Sequence, residues 1–141
     1  MPVAELGALV ALGRLRHAET DAARRKLGEA LAHETTLAAR QNTLVQELEA
    51  ARRLSGEFDR EAFAAWFGRA RAEQERLGAD IREAEAHTAT LRTELANRRV
   101  AETAAETALA EARAARKAAA ERGEQVMLED VARALRRGDD H

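Results

Sequence analysis

The chain has 141 residues, 35 of them alanine, with charged side chains at 34%, aromatic ones at 3%, one proline and no cysteine. A composition dominated by Ala, Glu, Arg and Leu belongs to long helices and coiled coils, and it excludes a compact core built from bulky side chains. Without cysteine there is no disulfide, thiolate metal site or thiol nucleophile, and a net charge of −2 supplies no global field for nucleic acid or acidic lipid.

The first predicted element is a helix over about residues 3–54, free of proline. Leu6, Leu27 and Leu48 occupy one heptad seam position, and Leu9, Ala23, Ala30, Leu37, Leu44 and Ala51 the other. Glu34 and Gln41 interrupt the first set. Polar seam residues weaken a coil but help fix its register. The apolar opening, Val3 to Leu15, contains Glu5, has no basic residue before it and carries Arg14 and Arg16 at its far end. That is the wrong order for a secretory signal, and the run is too short to span a bilayer. A cytoplasmic protein is expected.

A turn over 55–58 follows, at Ser55-Gly56-Glu57. Gly56 is expected to end the helix in the left-handed conformation. Asp59 suits an N-cap, with Phe58 and Phe63 at the N′ and N4 spacing of a hydrophobic staple.

The second helix is expected over about residues 59–137. Its heptad runs unbroken for about eight repeats. One seam position holds Phe67, Gln74, Ile81, Thr88, Leu95, Glu102, Leu109 and Arg116; the other holds Ala70, Leu77, Ala84, Leu91, Arg98, Ala105, Ala112 and Ala119. A sustained 3.5-residue period predicts a left-handed supercoil. Glu49–Arg53, Glu94–Arg98 and Glu129–Arg133 stand four apart, each pair adding about 0.2–0.5 kcal/mol.

A short turn between two such helices folds them antiparallel. The expected fold is therefore all-α: residues 1–141 form a single long antiparallel two-helix coiled-coil hairpin, its C-terminal helix longer and overhanging. The arms would be roughly 75 and 110 Å long. Folding back from Gly56 sets Leu6 beside about Thr107 and leaves about 30 residues without an intramolecular partner.

Two regions attract a functional reading. The overhang carries Val126, Leu128, Val131 and Leu135, with Met127 close by; Leu128, Val131 and Leu135 form a short apolar stripe. It reads as a partner-binding arm, set against the plainer reading of a frayed tail. At the other end all four aromatics, Phe58, Phe63, Trp66 and Phe67, fall within ten residues. They can simply close the turn, yet a staple needs only two. Phe58 and Phe63 are read as structural, and Trp66 and Phe67 as contact residues of an interface.

Catalytic chemistry is not legible. His17, His33, His87 and His141 are scattered; His17 with Glu34, or His87 with Glu83, can meet on a face, but as surface charge. No phosphate loop, nucleophile elbow or zinc-protease motif occurs. No catalytic, cofactor-binding or metal-binding residue is expected, and the chain is not read as an enzyme. Acidic neighbours neutralise Arg98-Arg99 and Arg136-Arg137, which argues against nucleic acid. No helix combines a broad apolar face with a strongly cationic one, which argues against membrane insertion.

Several features together resemble the FliJ/YscO family of flagellar and type III export stalk proteins. They are the leucine-rich opening (Leu6, Leu9, Leu12, Leu15) leading into Glu19 to Leu27, the break near residue 55, the aromatic-bearing start of the second helix from Arg60 to Phe67, and the tail from Glu129 to Arg133. The resemblance spans nearly the whole chain, with motifs of low specificity. It implies a central stalk that binds the hexameric export ATPase, promotes ring assembly and links the ring to a membrane export gate protein. The stalk would work as a monomer in the cytoplasm, peripherally associated with the inner-membrane export apparatus. In that picture Val126, Leu128, Val131 and Leu135 meet the ring, and Trp66 and Phe67 the gate. Phe67 matches an aromatic of the family pattern, but Arg71 and Gln74 stand where apolar residues should follow it. The family is also implicated in handling export chaperones, on which these residues are silent. Other readings remain: a scaffold that only sets distance, a holdase gripping clients with its aromatic tip, or self-assembly through the unpaired arm.

Overall fold

The computed structural model describes residues 3–57 and 59–139. They form two helices, α1 (Val3–Arg53) and α2 (Arg60–Asp139), separated by one 3-10 turn at Ser55–Glu57. No strand occurs among the described residues. Alanine, leucine, glutamate and arginine are strong helix formers, and neither helix contains a proline. The two helices pack together as an all-α helical hairpin.

The turn departs from expectation at Gly56. No described residue, glycine or other, has a positive φ. The chain leaves α1 by tightening: Leu54 N donates to Ala50 O at 3.2 Å, and Glu57 N to Leu54 O at 3.0 Å. The second bond has 3-10 spacing and satisfies a carbonyl that a left-handed glycine would otherwise help to cap. The restart of the helix is as expected. The Asp59 carboxylate accepts from the Glu61 amide at 3.3 Å, and the Asp59 carbonyl accepts the first helical bond, from Phe63 N, at 2.9 Å. Phe58, the other half of the expected staple, lies outside the described residues, as does His141.

The heptad frames of both helices coincide with burial. Every residue assigned to a seam position from Leu6 to Ala51 and from Phe67 to Ala112 is buried or half-buried. The last expected repeat is different: Arg116 and Ala119 are exposed, because the register puts them at and beyond the point where α1 begins.

By its contacts the chain divides into two compact units, one of residues 21–97 and one combining 3–20 with 98–139 among those described. In the first, Leu44, Leu48, Ala70 and Leu77 form a core against which Leu37, Trp66 and Phe67 pack. Ala23, Ala30, Ala84, Leu91 and Leu95 continue the buried seam. Glu34, which interrupts the leucines of α1, has a partner: buried Thr88 donates its hydroxyl to the Glu34 carboxylate at 3.0 Å. At the flanks Arg40 Nε donates to Glu73 at 3.0 Å, and Lys26 stands 3.9 Å from Glu94. The hydrogen bond to Glu73, followed by that carboxylate's charge, raises the Arg40 pKa above its ordinary value, so this guanidinium stays charged throughout the useful pH range.

The second unit buries smaller side chains: Thr20, Ala105 and Ala112. Thr20, fully enclosed, donates to its own helix at Arg16 O (3.0 Å) and lies 3.4 Å from Arg98 O on α2. Around it Glu19 binds both Arg16 (3.1 Å) and Arg98 (3.0 Å), and His17 Nδ1 lies 2.8 Å from Glu102.

Four sequence expectations are corrected here. His17 meets Glu102 rather than Glu34, which Thr88 has taken. Arg98 crosses to Glu19 instead of pairing with Glu94 four residues back. Arg133 pairs with Asp130 at 3.8 Å instead of Glu129, whereas the Glu49–Arg53 pair is present at 4.0 Å. Finally, since His17 faces Glu102, Leu6 faces about residue 113 rather than Thr107. A turn that spends residues on a 3-10 segment and a cap shifts the register by about one and a half helical turns.

Candidate partner-binding site

The tip of the first unit collects the aromatic residues by two periods at once. Phe63 and Phe67 are four apart on α2, so their rings stack with centroids 5.9 Å apart and an interplanar angle of 25°. Trp66, three residues from Phe63, tilts against it at 6.4 Å. Phe67 sits on the seam and Trp66 beside it; both are half-buried and both pack against the leucine core. The two expected contact residues are therefore brought together, with part of each ring committed to holding the hairpin closed.

What remains open is an apolar groove of about 460 Å³, lined by Ala50, Ala51 and Leu54 of α1's end and by Ala62, Phe63 and Trp66, with Glu47 at its edge. Trp66 faces this groove, and Phe67 does not line it. Two guanidiniums cover Phe67 instead: Arg52 at 5.9 Å from the ring centroid and Arg71 at 6.0 Å. Each cation over an aromatic face is worth about 0.5–1 kcal/mol at such an exposed site. Arg71 also donates to Gln74 at 3.2 Å. The sequence reading saw Arg71 and Gln74 only as missing apolar residues. Their spacing from Phe67 shows the Arg71 contact in retrospect, but Arg52 reaches the ring only across the turn.

The arm lies in the second unit. Past Ala112 no described residue of α2 is buried, and the helix continues to Asp139 with Arg136 and Arg137 in its last turn, where cations suit the helix dipole. Val126, Met127, Leu128, Val131 and Leu135 are 55–70% exposed. At about 100° per residue Leu128, Val131 and Leu135 share one face, which Met127 joins four residues before Val131. Val126 stands on the other side of the helix, so the four expected arm residues do not form one surface. Nor does the stripe continue the hairpin seam, whose heptad positions are here Gly123, Val126, Asp130, Arg133 and Arg137.

Among the described residues no group of three His, Cys, Asp or Glu side chains is placed to hold a metal ion. The hairpin does bring His33 and His87 into one shallow cleft with Asp80 and Glu83, a meeting invisible in the sequence. No described helix is long and apolar enough to cross a membrane. No protein-family model, curated protein or solved structure matches this chain.

Proposed function

We propose that this chain is a non-catalytic coiled-coil stalk of a bacterial type III protein export system, flagellar or virulence-associated. Its C-terminal arm docks on the export ATPase and promotes ring assembly. Its aromatic tip meets the membrane export gate. The protein works in the cytoplasm, held peripherally at the inner-membrane export apparatus.

The observation that carries this reading is the arm. A helix that leaves its hairpin partner near residue 113 and then exposes Met127, Leu128, Val131 and Leu135 on one face has an apolar surface that water does not favour. Contiguous exposed apolar faces on otherwise charged helices are typical of helix-in-groove recognition. The resemblance of the leucine-rich opening, the break near residue 55 and the Arg60–Phe67 segment to the FliJ/YscO family names the partner. The tip agrees with an interface as well, because Trp66 keeps part of its ring open beside an apolar groove.

The test adds the purified protein to the export ATPase of the same organism and follows hydrolysis and ring formation. The comparison is a chain ended after Gly123, which keeps every buried seam residue. Stimulation by the full chain and none by the shortened one is the expected result. No effect from either, with no co-elution, removes the ATPase role.

One observation favours a second reading, a holdase for export clients: the groove at Trp66 is apolar and open. That reading expects binding to many unfolded segments, lost on Trp66→Ala and indifferent to removal of the arm.

A further inference from the structure

The arm's apolar face and its charges point to one more occupant. Among the described residues, half of the exposed large apolar side chains fall within the ten positions 126–135. The charges beside them are segregated along the helix. Residues 121–130 carry Glu121, Glu124, Glu129 and Asp130 against a single Arg122, whereas residues 131–139 carry Arg133, Arg136 and Arg137 against Asp139. Within the helix the ion pair Arg133–Asp130 bridges only the junction of the two halves.

We infer that a second copy of this chain covers the arm, paired antiparallel about Val131. In that arrangement Leu128 of each copy faces Leu135 of the other, and the acidic half of each arm lies over the basic half of its partner. A parallel pair would place like charges over like. The contact is isologous, so one face serves both copies and the assembly stops at two.

The pairing uses a face that α1 does not need. The heptad positions that would face a longer α1 are, Val126 apart, charged or glycine in the arm, and the stripe is turned more than a third of the way round the helix from them. Both hairpins can therefore pair without opening. The face is also small. Four apolar side chains per copy fall short of the roughly 1,200–2,000 Å² that stable interfaces bury, so the pair is reversible and gives way to a partner offering a larger surface. Arm pairing keeps the apolar face covered when no partner is present. The pairing itself stands apart from the ATPase reading; only the competition for the face rests on it.

The experiment is sedimentation equilibrium of the full chain over a wide concentration range, with single-cysteine variants as reporters of geometry, since the protein has no cysteine of its own. A monomer–dimer equilibrium is expected. Leu128→Ser with Leu135→Ser weakens it at least about tenfold, as expected for exposing two apolar side chains per copy, with helical content by circular dichroism unchanged. Glu124→Arg with Glu129→Arg weakens it too, and adding Arg136→Glu and Arg137→Glu restores it. Under a mild added oxidant Val131→Cys cross-links to itself, and Leu128→Cys cross-links to Leu135→Cys in a mixture better than to itself. A chain that stays monomeric at every concentration overturns the proposal. So does a dimer that is insensitive to the arm substitutions, or one in which Leu128→Cys prefers its own kind.

Discussion

The two units of this hairpin are built from the same helices and the same heptad, yet they are held together differently. In residues 21–97 the seam is apolar: Leu44, Leu48, Leu77, Leu91 and Leu95 are buried, with the aromatic tip packed on their end. In residues 3–20 and 98–139 no leucine is buried. There the buried side chains are Thr20, Ala105 and Ala112, and the flanks are tied by Glu19, Arg16, Arg98, His17 and Glu102. Apolar burial is non-directional and indifferent to salt, whereas exposed ion pairs are worth little and are screened. The first unit should hold when the second opens, and amide exchange should be slowest around Leu44 and Leu77 and fastest along the arm.

The sharpest way to break the contrast is Leu44→Ala. Leu44 is 1% exposed, and removing its side chain should cost about 2–4 kcal/mol, read in a denaturant melt. A cost below about 1 kcal/mol would show that the seam relaxes and that the core is not the source of stability.

Next in size is the polar step within the apolar seam. Thr88→Val removes the donor to the Glu34 carboxylate and should cost about 1–2 kcal/mol. Adding Glu34→Leu should recover most of it, because a dry apolar pair then replaces a carboxylate that has lost its donor. If the double variant stays stable but loses a single pairing register by cysteine cross-linking, the pair is there for alignment.

Asp59→Ala should cost about 1 kcal/mol through loss of the cap on α2, and Asp59→Asn much less. In the ionic unit Glu19→Gln should cost about 0.5–1 kcal/mol at low salt and less at high salt, since Glu19 serves Arg16 and Arg98 together. The Leu44→Ala cost should not change with salt. The smallest effect belongs to the arm: Leu128→Ser should alter monomer stability by no more than about 0.5 kcal/mol, because that side chain is 70% exposed. A larger loss in the melt, independent of protein concentration, would mean the arm folds back on its own chain.

Much of this was readable without coordinates. Leucine and alanine at 3.5-residue spacing identify the seams because a helix of fixed pitch turns spacing into a face. Asp59 could be read as a cap because its side chain serves amides only two or three residues away. Gly56 could not be read correctly: a glycine permits the left-handed conformation without requiring it, and the Leu54 carbonyl just past α1 found a 3-10 partner in the Glu57 amide instead. The register of the arms missed for the same reason, since an error at the turn is carried along the whole seam.

At the candidate site the sequence located both ends but not their internal arrangement. Helical spacing placed Leu128, Val131 and Leu135 on one stripe, but Val126 was expected to share their partner contact although the helix carries it to the other side. The sequence did not find Arg52 over Phe67, because that contact joins residues on opposite sides of the turn.

By itself, then, the sequence determined two helices, their faces, the place of the break and the exposed apolar arm, all consequences of local geometry and periodicity. Only the tertiary structure decided which residues meet across the seam: Thr88 with Glu34, Arg98 with Glu19, His17 with Glu102. Side chains on one helix are related by a fixed angle and rise. Those on two helices are related by a register that depends on how the turn closes, and no local pattern encodes that offset.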